Sequence, residues 1–298
     1  MQKRIMLIVN PVSGRGQYKS EISHILEVLC GHGAAVTVCM TRHSGHAKEL
    51  ASAHAERYDI VACLGGDGTL SETIAGLMER DQRPPVGYIP LGTTNDMATT
   101  LGLPKDATRA AEVILDGVPI PIDIGHFAEN YFSYIAAFGA FTEVAYQTPT
   151  ENKRALGHLA YVLEGVGQLT KITPRKLIME HDGGRVEGEF IFGGVTNTTS
   201  IAGLWKLKPG LVDLGDGVFE VILVKNPRNI LESNTIFMDI VTQKYNSEYV
   251  QIFKTKQARF QFEEPVSWTR DGEAGGVHMD VSLHVAHPGV QIFVPREE

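Results

Sequence analysis

A glycine-rich turn between an apolar run and a helical pattern constrains the fold of this chain more than any other feature. Residues 60–64 form a strand-like apolar run that ends in three glycines around Asp67, and residues 70–78 then carry apolar side chains at helical spacing. Glycine permits positive φ and leaves no Cβ in the way of a bound group, while the start of a helix offers unpaired N–H groups to an anion. The pattern predicts a phosphate site, or alternatively a tight turn capped by Asp67 or Thr69.

The first 125 residues alternate strand and helix signals, as in a parallel α/β sheet. Strands are predicted at 5–9, 35–40, 60–64, 86–89 and 120–124, and helices at 22–29, 47–54, 70–78 and 108–115. Polar loops rich in glycine or hydroxyl residues follow the first four strands, at 10–16, 41–45, 65–69 and 92–96. Because the carboxyl ends of parallel strands meet at one sheet edge, we expect these loops to converge on one ligand site.

The chain changes character after residue 125, where strand-like segments and Asp-Gly turns replace the alternation. Predicted strands lie at 132–138, 175–181, 187–193, 218–224, 258–262 and 279–285, and predicted helices at 156–169 and 229–241. We therefore expect an α/β domain of residues 1–125 and a mainly antiparallel β-sandwich domain of residues 126–288.

The composition indicates a globular protein that does not bind nucleic acid. Of the 298 residues 43% are hydrophobic and 21% charged, and the formal net charge is −8, whereas binding to a phosphate backbone needs a basic surface. No apolar run approaches the ~20 residues that span a bilayer. Cys30, Cys39 and Cys63 lie in or beside apolar segments without CxxC spacing, so we expect reduced thiols and a cytoplasmic location.

The loop after the first strand nearly fits a classical nucleotide-binding motif. Gly14 lies five residues before Lys19, but Tyr18 stands where the P-loop requires glycine. No GxGxxG fingerprint follows this strand either. A phosphate site in this chain is therefore of another kind.

Four motifs together resemble the catalytic domain of the diacylglycerol kinase family, and most closely its soluble bacterial lipid kinases. They are NPVSG at 10–14, GGDGT at 65–69, PLGTTND at 90–96 and DGE at 271–273, in the family's order along nearly the whole chain. GGDGT is shared with NAD kinases and partly with phosphofructokinases, whereas PLGTTND and DGE are specific to the lipid kinases. The resemblance implies an NAD kinase/diacylglycerol kinase-like α/β domain to which residues 289–298 return.

The resemblance also implies ATP and Mg²⁺ as cofactors and a role for each matching residue. The ATP-binding residues would be Asn10, Pro11, Ser13, Gly14, Thr41, Gly65, Gly66, Asp67, Gly68, Thr69, Glu72, Thr93, Asn95 and Asp96. Asp67 would organise the catalytic Mg²⁺, with Asp96 and Asp123 as supporting acids, since Mg²⁺ prefers few carboxylates plus phosphate oxygens. Glu273 would be the general base that deprotonates the lipid hydroxyl.

Three positions leave alternatives open. On the residues alone, Glu273 is a solvated hairpin acid or a carboxylate that faces a hydroxyl bound between the domains. Ser71 stands where the family usually has asparagine, so we expect an altered contact with the nucleotide. His43 and His46 have a spacing that suits a metal, but the sequence shows no third ligand nearby, which favours a solvated loop.

Residues 211–218 resemble the family's second metal loop. The resemblance implies the Asp216 side chain and the carbonyls of Asp213 and Val218 as ligands, an oxygen-only set that suits Mg²⁺ or Ca²⁺. The loop is one residue longer than the family's usual form, and an Asp-Gly turn entering a strand is the alternative.

The resemblance implies an enzyme that moves the γ-phosphoryl group of ATP to a hydroxyl of diacylglycerol or a related lipid. The alternatives are an NAD kinase, whose own nucleotide loop is absent after the fourth strand, and a non-catalytic nucleotide- or lipid-binding protein on a kinase fold. The lipid would be met at a membrane surface, in transient contact because no amphipathic basic helix is evident. The sequence identifies neither the lipid nor the oligomeric state, and a homodimer remains open.

Overall fold

Four parallel strands form the N-terminal sheet in the order β2-β1-β3-β4. They are β1 (Arg4–Val9), β2 (Ala35–Met40), β3 (Ile60–Gly65) and β4 (Val86–Pro90). In register, Val9 of β1 pairs with both Met40 and Leu64. The strands therefore end together, and the loops that follow them lie at one edge of the sheet. The computed structural model describes residues 2–140, 172–201, 205–208 and 210–296.

Helices connect these strands and contribute one face each to the core. They are α1 (Tyr18–Gly31), α2 (His46–His54), α3 (Asp67–Met78), α4 (Asp96–Thr100) and α5 (Ala107–Asp116). Helix α1 packs on α5, and α2 packs on α3. Every strand and helix predicted for residues 1–125 is present. Helix α4 was not predicted, because five residues are too few to display a helical period.

The remainder of the chain is rich in strands, most of them antiparallel. They are β5 (Val118–Phe127), β6 (Asn130–Phe132), β7 (Ile135–Gly139), β8 (Arg175–His181), β9 (Gly184–Thr196), β10 (Ser200–Ile201), β11 (Trp205–Lys206), β12 (Phe219–Lys225), β13 (Val250–Thr255), β14 (Gln257–Arg270) and β15 (Glu273–Val294). Helix α6 (Ile230–Val241) follows β12, and the Asn229 side chain caps it by accepting the N–H groups of Leu231 and Glu232. The predicted helix at 156–169 lies outside the described residues.

Long strands that change partner join the two parts of the chain. Strands β9 and β14 each pair with β8 along one half and with β7 along the other, so these four strands form a closed circuit. The circuit buries an aromatic cluster in which Trp268 lies 5.0 Å from Phe138 and 5.2 Å from Phe260, ring centre to ring centre. Strand β15 runs beside β14 and β5 and then places Ile292 parallel to Val86 of β4.

These features confirm the predicted fold class, an α/β N-terminal region followed by a mainly antiparallel strand-rich part. The division into domains at residue 125, with residues 289–298 returning, stays a prediction. Strands β14 and β15 run further than predicted because Pro265 and Pro288 fall at bulges, where the ladder tolerates the missing N–H. Among the described residues, no helix is long and apolar enough to cross a membrane.

Candidate functional site

A cleft of about 320 Å³ lies at the carboxyl edge of the parallel strands. Nine predicted site residues line it: Asn10, Pro11, Ser13, Thr41, Gly66, Gly68, Thr69, Glu72 and Glu273. Val12, Arg42, His43 and Ser44 line it too, and the sequence analysis had assigned none of them to the nucleotide. Three of the four polar loops therefore meet as predicted. The fourth loop packs closely against the third, because a Cβ on Gly92 would lie 2.7 Å from the Cα of Gly66.

Close packing within the third loop explains the glycine at position 65, and hydrogen bonds join this loop to the first. A Cβ on Gly65 would collide with the side chain of Thr69 in the first turn of α3. The amide Nδ2 of Asn10 donates a hydrogen bond to Thr69 Oγ1 at 3.0 Å, while Asn10 Oδ1 accepts the N–H of Val12 at 3.1 Å. These contacts hold the loop after β1 against the start of α3.

Asp67 begins α3, and its carboxylate caps α4. Oδ2 accepts the N–H of Asp96 at 2.9 Å, Oδ1 accepts the N–H of Met97 at 3.2 Å, and the Tyr88 hydroxyl donates to Oδ1 at 3.4 Å. Burial raises the pKa of Asp67 to about 6, opposed by the N–H bonds and reinforced by the charges of Asp96 and Asp271. The carboxylate of Asp67 therefore lies where the negative charges of neighbouring acids disfavour its ionised form.

The buried phenol of Tyr134 is close enough to four carboxylates for their charges to act on it. Burial is the main cause that raises the pKa of Tyr134 well above its ordinary value. The negative charges of nearby carboxylates raise it further, in the order Asp271, Asp67, Asp96 and Glu273. The residue therefore stays neutral. Sequence analysis missed it because it falls within a predicted apolar strand. These four carboxylates offer only oxygen atoms as ligands, and their negative charges are not balanced by one another. Such a set of ligands suits a hard divalent cation.

Asp271 is a buried anchor for the DGE turn. Its Oδ1 accepts the N–H groups of Tyr134 and Ile135, both at 3.0 Å, and its Oδ2 accepts the N–H and hydroxyl of Ser133 at 2.6 and 2.9 Å. The hydroxyl of Ser71 on α3 donates to the same Oδ2. The predicted strand at 132–138 is interrupted here because these groups turn toward Asp271, so that β6 and β7 are separate.

Glu273 follows this anchored turn and faces the start of α3. A Cβ on Gly68 would lie 3.6 Å from Glu273 Oε1. Burial raises the pKa of Glu273, and the nearby charge of Glu72 adds to the rise. Glu273 thus lies at the cleft with elevated basicity.

Glu72 has a structural partner as well as a place in the cleft. Its Oε1 accepts the N–H of Gly45 at 2.7 Å and its Oε2 the N–H of Ala47 at 3.1 Å. Because these N–H groups belong to the beginning of α2, the carboxylate caps that helix. The proposed contact between Glu72 and the nucleotide stays a prediction.

The fourth loop is closed by its own asparagine. Asn95 adopts φ of 53° and both accepts the N–H of Gly92 and donates to its carbonyl, each at 2.9 Å. Thr93 is exposed on this loop. Gly14, at φ of 58°, approaches the other side of it, since a Cβ there would lie 2.5 Å from the carbonyl oxygen of Leu91.

Two of the predicted metal-binding acids have other hydrogen-bond partners. Asp96 accepts the hydroxyl of Ser200 at 2.6 Å, which connects α4 to β10. Asp123 Oδ2 accepts the N–H of Gly217 at 2.7 Å, and its Oδ1 lies 2.6 Å from Nδ1 of His287. Asp123 therefore lies against the 211–218 loop.

The 211–218 loop already has a cation in the form of Lys254. The ammonium nitrogen of Lys254 lies 2.8 Å from Asp216 Oδ2 and 3.4 Å from Oε1 of the buried Glu220. Asp213 Oδ1 accepts the N–H of Gly215, and Asp216 Oδ1 that of Val218, as in Asp-Gly turns. A metal bound by Asp216 would compete with Lys254, and the ligand set of the metal loop stays a prediction.

The structure adds Glu49 to the two histidines of the second loop. Ligand atoms of His43, His46 and Glu49 lie within 4.8 Å of one another. However, His46 Nδ1 accepts the N–H of Arg42 at 3.0 Å, which leaves the proton of the neutral ring on Nε2. His46 therefore offers no lone pair to a cation in this arrangement.

Side chains with hydroxyl groups line the cleft at the carboxyl edge of the parallel sheet, beside largely buried carboxylates, an arrangement that suits the transfer of a phosphoryl group. The family model for the diacylglycerol kinase catalytic domain matches residues 4–127. The diacylglycerol kinase of Bacillus subtilis (strain 168) is 34% identical over 298 residues, covering 99% of this chain and 98% of the relative. That of Staphylococcus carnosus (strain TM300) is 32% identical over 300 residues, covering 100% and 97%.

The chain belongs to the diacylglycerol kinase family, as the motifs predicted, and it is a lipid kinase. The fold agrees: the crystal structure of a diacylglycerol kinase from Bacillus anthracis str. Sterne superposes with a TM-score of 0.78 at 22% identity, covering 98% of this chain and 97% of that one. Membership of a kinase family implies ATP and a divalent metal as cofactors.

Proposed function

We propose that this lipid kinase transfers the γ-phosphoryl group of ATP to a hydroxyl of diacylglycerol or a related lipid, with Mg²⁺ as the metal and Glu273 as the general base. The observation that carries the proposal is that hydroxyl groups able to bind phosphate and the carboxylate of Glu273 line one cleft, with Asp67 between two further lining residues, Gly66 and Gly68. Hydroxyls of Ser13, Thr41 and Thr69 line it. Such donors satisfy phosphate oxygens in a desolvated site.

Asp67 and Asp96 would hold the divalent metal. Both carboxylates are largely buried, and their mutual repulsion contributes to the raised pKa of Asp67, so a cation between them relieves an electrostatic cost. When bound, the metal would neutralise phosphate charge and orient the transferred group. The caps that Asp67 provides to α4 hold its carboxylate in one orientation.

Glu273 would accept the proton of the lipid hydroxyl. The raised pKa suits a general base because it makes the carboxylate more basic than a solvated acid. The turn before it is held by Asp271, whose five donors come from residues 133–135 and from Ser71. This arrangement favours the catalytic alternative for Glu273 over the solvated hairpin acid.

A comparison of acceptors tests the proposal directly. Phosphate transfer from labelled ATP should be detected with diacylglycerol in micelles and not with NAD. Transfer to NAD would instead favour the NAD kinase alternative, and ATP binding without turnover across a lipid panel would favour a non-catalytic protein. The same panel, read by product mass, identifies the lipid.

Replacing Ser71 should weaken catalysis through the position of Glu273. Ser71→Ala removes one donor from buried Asp271, which costs about 1 kcal/mol of stability. We expect kcat to fall about 3- to 10-fold with little change in KM for ATP, since small misplacements of a base cost rate. Ser71→Asn, which keeps a donor, should retain activity, and Ser282→Ala, at an exposed position of β15, is the control. A change in KM for ATP alone would assign Ser71 to the nucleotide.

The acidic limb of activity should follow Asp67. With a pKa of about 6, its carboxylate loses charge as the pH falls through that value, and turnover should drop roughly tenfold per pH unit below it. Because a cation favours the ionised form, more Mg²⁺ should move the limb to lower pH. The contribution of Asp67 to folding stability has the opposite pH dependence, because the raised pKa means that the folded state favours the protonated carboxyl. This contribution is present below about pH 4 and is lost as the pH rises through about 6. Measuring kcat/KM against pH at two Mg²⁺ concentrations checks this, and an immobile limb would point to another group.

A further inference from the structure

Arg42 is the only arginine or lysine among the described residues that line the cleft. The charged groups that share the lining with it are the carboxylates of Glu72 and Glu273, and Asp67 lies between two further lining residues. A polyphosphate that binds among these acids is stabilised by a cation that reaches it. A guanidinium group is always charged and binds phosphate oxygens through two parallel N–H bonds, so Arg42 has the chemistry for this role.

Hydrogen bonds and ring stacking hold the backbone of the loop that carries Arg42. The N–H of Thr41 donates to the carbonyl of Val9 at 2.9 Å, and the N–H of Arg42 donates to Nδ1 of His46 at 3.0 Å. The ring of His43 stacks on the ring of His46, with 4.7 Å between the ring centres. The Arg42 side chain therefore extends from a backbone that is already held in place before a ligand binds.

The guanidinium group of Arg42 has no protein partner among the residues that the structure describes. Its side chain is exposed, and within those residues it forms neither an ion pair nor a hydrogen bond. Arg4, by contrast, pairs with Asp59 at 2.9 Å. A charged group that lines a cleft, on a held backbone and without a protein partner, is available to an anionic ligand.

The strand order places Arg42 away from the reacting end of the cleft. Arg42 follows β2 and Asp67 follows β3, and β1 lies between these two strands. At about 4.8 Å per strand, the ends of β2 and β3 are about 10 Å apart. Glu273 faces Gly68, next to Asp67, so the proposed base and metal ligand lie on the β3 side. A nucleotide with its γ-phosphate there directs its other groups toward β2.

We propose that Arg42 binds the α- and β-phosphates of ATP, the two phosphates that are not transferred, and thereby sets the affinity of this cleft for the nucleotide. The inference rests on the proposed use of ATP as the phosphoryl donor. An interaction of this kind is made equally before and during the reaction, so its loss raises KM for ATP and changes kcat little. The alternatives are a contact between Arg42 and the nucleoside, and a solvated arginine without a ligand.

Calorimetric titration of the full chain tests the role of Arg42. The two probes are ATP and inorganic tripolyphosphate, each with Mg²⁺, because tripolyphosphate has the phosphates but no nucleoside. Arg42→Gln should weaken the binding of both probes by the same factor, about 10- to 30-fold, the effect of losing a hydrogen bond between charged groups. Arg42→Lys keeps the charge but not the paired N–H bonds, so its affinity should lie between those of Arg42→Gln and wild type.

Arg57→Gln is the matched control for these titrations. Arg57 is exposed three residues beyond α2 and just before β3 begins, at the opposite edge of the sheet from the cleft. This variant should bind both probes as wild type does. Equal melting temperatures for Arg42→Gln and Arg57→Gln exclude misfolding as the cause of a lower affinity.

Steady-state kinetics supply the second readout. In Arg42→Gln, KM for ATP should rise by the factor found in the titrations, while kcat changes less than about threefold. Unchanged binding of ATP by Arg42→Gln would overturn the proposal, and so would a loss confined to ATP with tripolyphosphate unaffected, which would assign Arg42 to the nucleoside. A fall in kcat larger than the loss of affinity would also overturn it. Wild type that binds ATP but phosphorylates no lipid would refute the proposed function, and the titrations would still decide the role of Arg42.

Discussion

Asp67→Asn should lower kcat by about 100- to 1000-fold, the range found when one preorganised group that stabilises the charge of the transition state is removed. The carboxylate serves both α4 and the proposed metal: its two oxygens accept the N–H groups of Asp96 and Met97. Asparagine offers one acceptor oxygen and no charge. One cap is lost, at about 1 kcal/mol of stability, and so is the negative charge that attracts the cation.

The measurement for Asp67→Asn is turnover with ATP and lipid over a range of Mg²⁺ concentrations, beside a thermal unfolding curve. A metal role requires that the Mg²⁺ needed for half-maximal rate rises in the variant. Asp81→Asn, at an exposed acid after α3, is the matched control and should behave as wild type. Full activity in Asp67→Asn would refute the proposed site, and so would a crystal soaked with ATP and Mg²⁺ in which the 65–69 turn remained empty.

Glu273→Ala should lower kcat by about 100-fold while ATP binding stays nearly unchanged. General bases contribute about 10²- to 10⁴-fold, and phosphoryl transfer falls at the low end because it relies mainly on positioning and charge. The side chain of Glu273 is exposed at the cleft, and its carboxylate faces Gly68 at the start of α3. Glu273→Gln, which keeps the shape, should lose similar activity.

Three readouts separate Glu273 from Asp67. ATP affinity and the Mg²⁺ requirement should be unaltered in Glu273→Ala, while turnover falls. Glu264→Gln, at an exposed acid on β14, is the control. Parallel loss of turnover and ATP binding would make Glu273 a structural residue of the turn, and the general base would have to be sought elsewhere.

The convergence of the polar loops could be predicted because it follows from topology. Once the strands alternate with helices, they are parallel, and their carboxyl ends must share an edge. The glycine turn and the loops at 10–16, 41–45 and 92–96 therefore needed no tertiary information to be grouped. Arg42 and His43 line the same cleft, and their position in the second of these loops was the available signal.

The partners of the buried acids could not be predicted in this way. Asp271 was recognised as part of a motif, but its donors Ser71 and Ser133 lie 200 and 138 residues away. Glu72 was assigned to ATP and also caps α2, and Tyr134 looked like an apolar strand residue. Each role depends on which groups pack against the side chain. The spacing of apolar residues along the sequence carries no information about those groups.

The amino-acid sequence by itself determined the alternation of strands and helices in the first 125 residues, the family and the polar loops that meet at the cleft. Hydrophobic periods and the backbone freedom of glycine act over a few residues, so they can be recognised along the chain. Only the tertiary structure decided how the acids are held, which groups anchor the DGE turn and which face of α6 meets solvent. Those features depend on long-range burial and on the hydrogen-bond partners that buried polar groups require.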